Sequence, residues 1–159
     1  MTTFAHSIYT IILALWVGGI SLFTFIVTPV IFRAYGRDAA GEIVGKLFPS
    51  YFLFTLVVSI LAILALPLCR SLFGQAGFRC SLFLAIVAVA INAFIFFKLY
   101  PEILRVKQEV RSFQVLSAEE PARKAFRKLH AISATLNIII LADGITLLLI
   151  STTVRRYVV

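Results

Sequence analysis

One carboxylate, Asp143, stands inside an apolar run that begins at Leu129 and ends at Val154. An aspartate at the bilayer centre costs about 2.5–3.5 kcal/mol on insertion scales, so it must face a cavity, another helix or a second subunit. Carboxyls in that position bind cations or relay protons. The competing interpretation is a protonated carboxyl that donates to a backbone carbonyl, since no basic residue of an apolar run can pair with it. The same run holds His130 and Asn137. Asn137 lies eight residues from Leu129 and Asn92 eight residues from Tyr100, which predicts both amides at one depth on antiparallel helices. An Asn92–Asn137 hydrogen bond would clamp the two helices by about 0.6–2 kcal/mol.

His6 and His130 are the chain's two histidines, which invites a haem b with two histidine ligands. They fall at opposite ends of their runs, roughly 30 Å of hydrocarbon apart, so one haem cannot take both from a single chain. One histidine with another axial ligand stays open, as does the plain alternative of two interfacial histidines at helix ends. Trp16-Val17-Gly18-Gly19 lies midway through the first run. Its glycines allow close helix approach or a small ligand against the backbone, and its indole N–H could donate to a carboxylate. Cys69 and Cys80 flank a short loop and are candidates for a disulfide if that loop faces an oxidising compartment. No metal-ligand spacing, phosphate loop, dinucleotide fingerprint or nucleophile elbow occurs, so no metal site and no catalytic residue is assigned.

Such groups need elements to hold them, and the composition names the kind. Hydrophobic residues make up 61% of 159, and the mean hydropathy of +1.02 excludes a soluble domain. Four runs approach the roughly 20 apolar residues needed to cross a bilayer: about 7–32, 47–68, 80–100 and 129–154. The fold expected is all-α: one domain over residues 1–159, a polytopic antiparallel four-helix transmembrane bundle. A formal charge of +8 would suggest nucleic acid in a soluble chain. Here the basic residues flank apolar runs, which points to topology and anionic lipid and away from nucleic acid.

Eleven of the fifteen basic residues lie in the first and third connections, from Arg33 to Lys46 and from Lys98 to Lys128. The other four are Arg70, Arg79, Arg155 and Arg156. By the positive-inside rule the two basic connections are cytoplasmic and both termini are periplasmic, in a bacterial inner membrane. Asp38 precedes a short stretch expected to form a capped interfacial helix, with Pro49 near the start of the second span. The long third connection repeats Ile103, Val106, Val110 and Phe113 at helical spacing, so the third helix should continue past a kink at Pro101. Ser117 and Glu120 form a capping-box pattern before the fourth helix. Pro29-Val30-Ile31-Phe32-Arg33 and Pro101-Glu102-Ile103-Leu104-Arg105 hint that the two hairpins are parallel repeats.

Three passages carry a family resemblance. They are Lys46-Leu47-Phe48-Pro49-Ser50-Tyr51-Phe52, then Asn92-Ala93 ahead of Pro101, and Phe126-Arg127-Lys128-Leu129-His130-Ala131-Ile132-Ser133 followed by Asn137. Together they resemble the transmembrane-protein-205-like family, whose bacterial members are described as a domain of unknown function. The resemblance implies a four-span integral membrane protein and no catalytic residues. Trp16-Val17-Gly18-Gly19 is similar, over the first span only, to haem-associated bundles of the membrane protoporphyrinogen oxidase and copper-resistance D families. There a histidine stands about two turns before the tryptophan; here that position is Tyr9, with His6 a turn further out. The function expected is transport or sequestration of a small solute or ion at Asp143, with a homo-oligomer to build a pathway. A haem- or quinone-binding redox module and a non-catalytic assembly or lipid-interacting subunit are the alternatives.

Overall fold

Backbone amides find no water in hydrocarbon, so apolar runs of this length fold into helices that satisfy their own hydrogen bonds. The computed structural model describes residues 2–110 and 120–154 and contains four long helices, Phe4–Ala34, Arg37–Leu72, Gln75–Glu109 and Pro121–Thr153. No strand occurs among the described residues. Each helix is long and apolar enough to cross a membrane. The chain is an all-α, multi-pass membrane protein. Phe113 and Ser117 of the third connection lie outside the described residues; Glu120 lies inside them, and the fourth helix begins immediately after it at Pro121.

One expected boundary needs correction. The interfacial helix after Asp38 and the second span are a single element: α-helix runs unbroken over Arg37–Ala65, with Gly36 at its N-cap, Asp38 in its first turn and Pro49 in its interior. Proline at this position cannot bond the carbonyl of Gly45, four residues back. That oxygen instead accepts from the Tyr100 hydroxyl of the third helix at 3.4 Å. A neighbour thus supplies part of what the proline removes.

Prolines shape the first and third helices in a shared way. Pro29 follows a π turn at Phe23–Val27 and Pro101 follows one at Ile95–Leu99, each turn starting six residues before its proline. The wider turn accommodates a ring that would clash with the carbonyl four residues back. Both helices then continue, to Ala34 and Glu109. Equal π turns ahead of equal prolines agree with two parallel hairpin repeats.

The helices pack as a ring. The first lies against the second and fourth, and the third lies against the same two, leaving the first and third diagonal. Buried residues recur three and four apart, as a helical seam requires. Tyr9, Leu13, Trp16 and Ile20 form the seam of the first helix, and Ser81, Ala85, Ala88 and Asn92 that of the third. Ser133, Ile140, Leu147 and Ser151 lie on that of the fourth. Small side chains let backbones approach where lipid gives no hydrophobic drive to associate. Outside, Phe25, Leu64, Phe83 and Leu149 are exposed, an apolar coat suited to lipid contact.

Candidate functional site

The fourth helix carries polar groups at several depths, and most of them are satisfied. The Asn137 amide donates to Thr24 Oγ1 at 2.9 Å and accepts from the Tyr51 hydroxyl, tying the first, second and fourth helices together. Nearer the termini, His6 Nε2 lies 3.1 Å from both the carbonyl and the hydroxyl oxygen of Ser151. Thr10 Oγ1 lies 3.2 Å from the same hydroxyl and donates to the His6 carbonyl at 2.9 Å. Apart from the Thr10–His6 bond, which stays within the first helix, these contacts fasten one helix to another.

Asp143 is different. It is buried, and neither of its carboxyl oxygens has a hydrogen-bond partner among the described residues. It sits about 9 Å along the helix from Asn137, in the half of the bundle that holds the termini. Three other buried polar atoms in that half are also unpartnered: the Tyr9 hydroxyl, Trp16 Nε1 and Ser81 Oγ. Gly144, the next residue, faces the indole so closely that an added Cβ would lie 3.1 Å from Trp16 Nε1. Carboxylate, phenol, indole N–H and hydroxyl together offer an acceptor of negative charge and several donors. Unsatisfied polar atoms cost about 1–3 kcal/mol each. Native structures keep them where an ion, a water or a reaction needs them. A small cation would meet the carboxylate there, with hydroxyl oxygens as further ligands, while the indole N–H would donate to the carboxylate or to a solute oxygen.

The remaining sequence candidates divide. Asn92 and Asn137 do not pair: the Asn92 amide donates to Ser59 Oγ at 3.4 Å on the second helix, while Asn137 turns to Thr24 and Tyr51. Equal depth brought the amides level, but their helical phases send them to different neighbours. Cys69 and Cys80 are both free. Cys69 is buried, with its thiol 3.3 Å from the Leu66 carbonyl, whereas Cys80 is exposed on the third helix, and the two candidates are not bridged here. Gly19 packs under Phe54, whose ring an added Cβ would strike at 2.4 Å, while Gly18 has no atom within 4 Å of such a Cβ. Close packing therefore belongs to Gly19 and Gly144.

His130 stacks on Phe126, with ring centroids 5.9 Å apart, and it lies 21 residues before the Ser151 that holds His6. The two histidines stand about 32 Å apart along the bundle, too far to share a haem. Among the described residues no three His, Cys, Asp or Glu side chains gather as a metal ion would need. Tyr9, Ser81, Thr24, Tyr51 and Ser59 were not singled out from sequence as polar partners. Spacing on the buried seams was the available signal: Ser81 lies eleven residues, three helical turns, before Asn92.

The family model described as a domain of unknown function (DUF4149) matches residues 11–112. No curated protein and no solved structure matches the chain.

Proposed function

We propose a function from the chain's own residues and from one premise: it belongs to the family described as a domain of unknown function (DUF4149), whose model covers most of it. The protein is a multi-pass protein of a bacterial inner membrane, related to transmembrane-protein-205-like proteins, that takes up a small cation, the proton included, at Asp143. The basic connections face the cytoplasm, where they meet anionic lipid, and both termini face the periplasm. Transport or sequestration follows according to whether a second copy completes a pathway through a homo-oligomer.

One observation carries this function. Asp143 is buried in an apolar helix with both carboxyl oxygens unpartnered among the described residues, and the next residue, Gly144, packs on the likewise unpartnered Trp16 indole. A carboxyl kept for packing would have been given a donor, as Asn137 was. Intramembrane carboxyls are costly enough that an unpartnered one is retained for what it binds. Cation flux into liposomes, with sodium, potassium and proton gradients imposed in turn, tests the function. Wild-type protein should pass or hold one of these cations, and Asp143→Asn should lose at least tenfold of that activity. Equal activity in the two proteins would place the function elsewhere.

A further inference from the structure

Asp143 is enclosed as well as unpartnered. Neither of its carboxyl oxygens is open to a water molecule. On its own helix the almost wholly buried Ile140 and Leu147 stand three residues before it and four after. A metal cation would have to arrive bare, or bring waters for which the seam has no room. Bare metal cations in membranes trade their hydration shell for carbonyl oxygens, supplied by extended loops or by helices broken at the site. Regular α-helix covers Thr2–Leu22, Gln75–Phe94 and Pro121–Val154, so the carbonyls there are bonded within their own helices. The second helix departs from that pattern in this half, tightening to a 3-10 helix over Leu66–Leu72. Its Cys69 thiol donates to the carbonyls of Leu66 at 3.3 Å and Ala65 at 3.6 Å, and the Phe73 amide to that of Arg70 at 3.1 Å. The two π turns stand apart: Phe23–Val27 is level with Asn137, and Ile95–Leu99 leads into the third connection.

Titratable groups in this half are sparse. The first helix buries His6 and Tyr9, the second buries Cys69, and the buried seam of the third, Ser81, Ala85 and Ala88, brings none. Arg70 and Arg79, near the loop between the second and third helices, are exposed. The six other acidic residues all belong to the two basic connections.

We propose that the cation taken up at Asp143 is the proton, to the exclusion of sodium and potassium. The proposal rests on the Asp143 function above and narrows it. A proton needs neither a cavity nor a shell of ligands. One O–H bond forms at a carboxyl oxygen, the carboxylate's charge is cancelled, and loss of the same proton restores it. Cancelling that charge removes the largest cost of holding the side chain in hydrocarbon. The position suits a relay between two polar ends. Ser151, bonded to His6, lies about 12 Å along the fourth helix on one side. On the other, about 15 Å away, Ser133 lines a cavity of about 300 Å³ between the helices of the basic end.

Infrared difference spectra of the purified full-length protein test the proposal, titrated with acid in sodium, potassium or choline chloride at one ionic strength. The carbonyl stretch of a protonated carboxyl reports Asp143 once the Asp143→Asn spectrum is subtracted. Wild type should gain one carboxyl band as the pH falls, with the same midpoint in all three salts. Isotope-labelled aspartate, which the chain carries only at Asp38 and Asp143, should shift that band without recourse to a variant. A metal cation competing at tenfold its Kd would lower the midpoint by about one pH unit. A displacement of that size in sodium or potassium would overturn the proton and leave cation uptake at Asp143 standing. Spectra of wild type and Asp143→Asn that agree at every pH would overturn both.

Discussion

Asn137 and Asp143 are two turns apart on one helix, both polar and both inside an apolar span, yet the bundle handles them in opposite ways. Asn137 has a donor and an acceptor met by two different helices. Asp143 is more deeply buried and has neither oxygen met among the described residues. Desolvation alone cannot explain both, because a bundle able to place Tyr51 and Thr24 around an amide could have placed a hydroxyl beside a carboxyl. Polar residues that fasten helices are recognised by the company they keep. A carboxyl kept without company is available to something from outside.

Breaking the fastened side should cost the most. Asn137→Leu removes two interhelical bonds and strands Tyr51 and Thr24, so unfolding in detergent should show a loss of about 1–3 kcal/mol, each such bond being worth about 0.6–1.7. Gly144→Val tests the packing beside Asp143. The fully buried Trp16 cannot swing away from the new side chain, so a comparable overpacking loss of about 1–3 kcal/mol is expected in the same assay. Tyr51→Phe deletes one of the Asn137 bonds and should cost about 0.6–1.7 kcal/mol. With choline in place of the small cations, Asp143→Asn should fall at the bottom of the series, within about 0.5 kcal/mol of wild type, since no protein hydrogen bond is lost there. A loss of several kcal/mol in that variant would reveal a partner and place Asp143 among the fastenings.

The architecture was legible because membrane insertion is a local physical problem. Each run had to be long and apolar by itself, and basic flanks at Arg33 and Lys128 marked where runs stop. Pro29 and Pro101 pointed to bends, though their π turns could not be read, since turn width depends on how the ring is accommodated. Depth was also legible: His6 and His130 fall at opposite ends of the bundle, and Asn137 lies at the level of Thr24 and Tyr51. Rotation was not. Whether Asn137 meets Asn92 or Tyr51 depends on the phase of three helices about their axes, which no single run encodes. The same limit hid Tyr9 and Ser81, ordinary seam residues until their neighbours are known. Pro49 misled for a different reason. It resembled a helix start, yet Tyr100 on another helix makes an interior position tolerable.

The most direct measurement is the melting temperature of purified wild type and Asp143→Asn in neutral detergent, with sodium, potassium or choline at one ionic strength and over a range of pH. A cation bound at Asp143 stabilises the folded state by RT ln(1 + [L]/Kd), about 2.7 kcal/mol at a hundredfold excess over Kd. Wild type should therefore respond to one small cation or to the proton and ignore choline, and Asp143→Asn should be indifferent to all of them. Two proteins that melt alike under every condition would mean that Asp143 binds nothing, and that its unpartnered carboxyl is only a cost the fold tolerates.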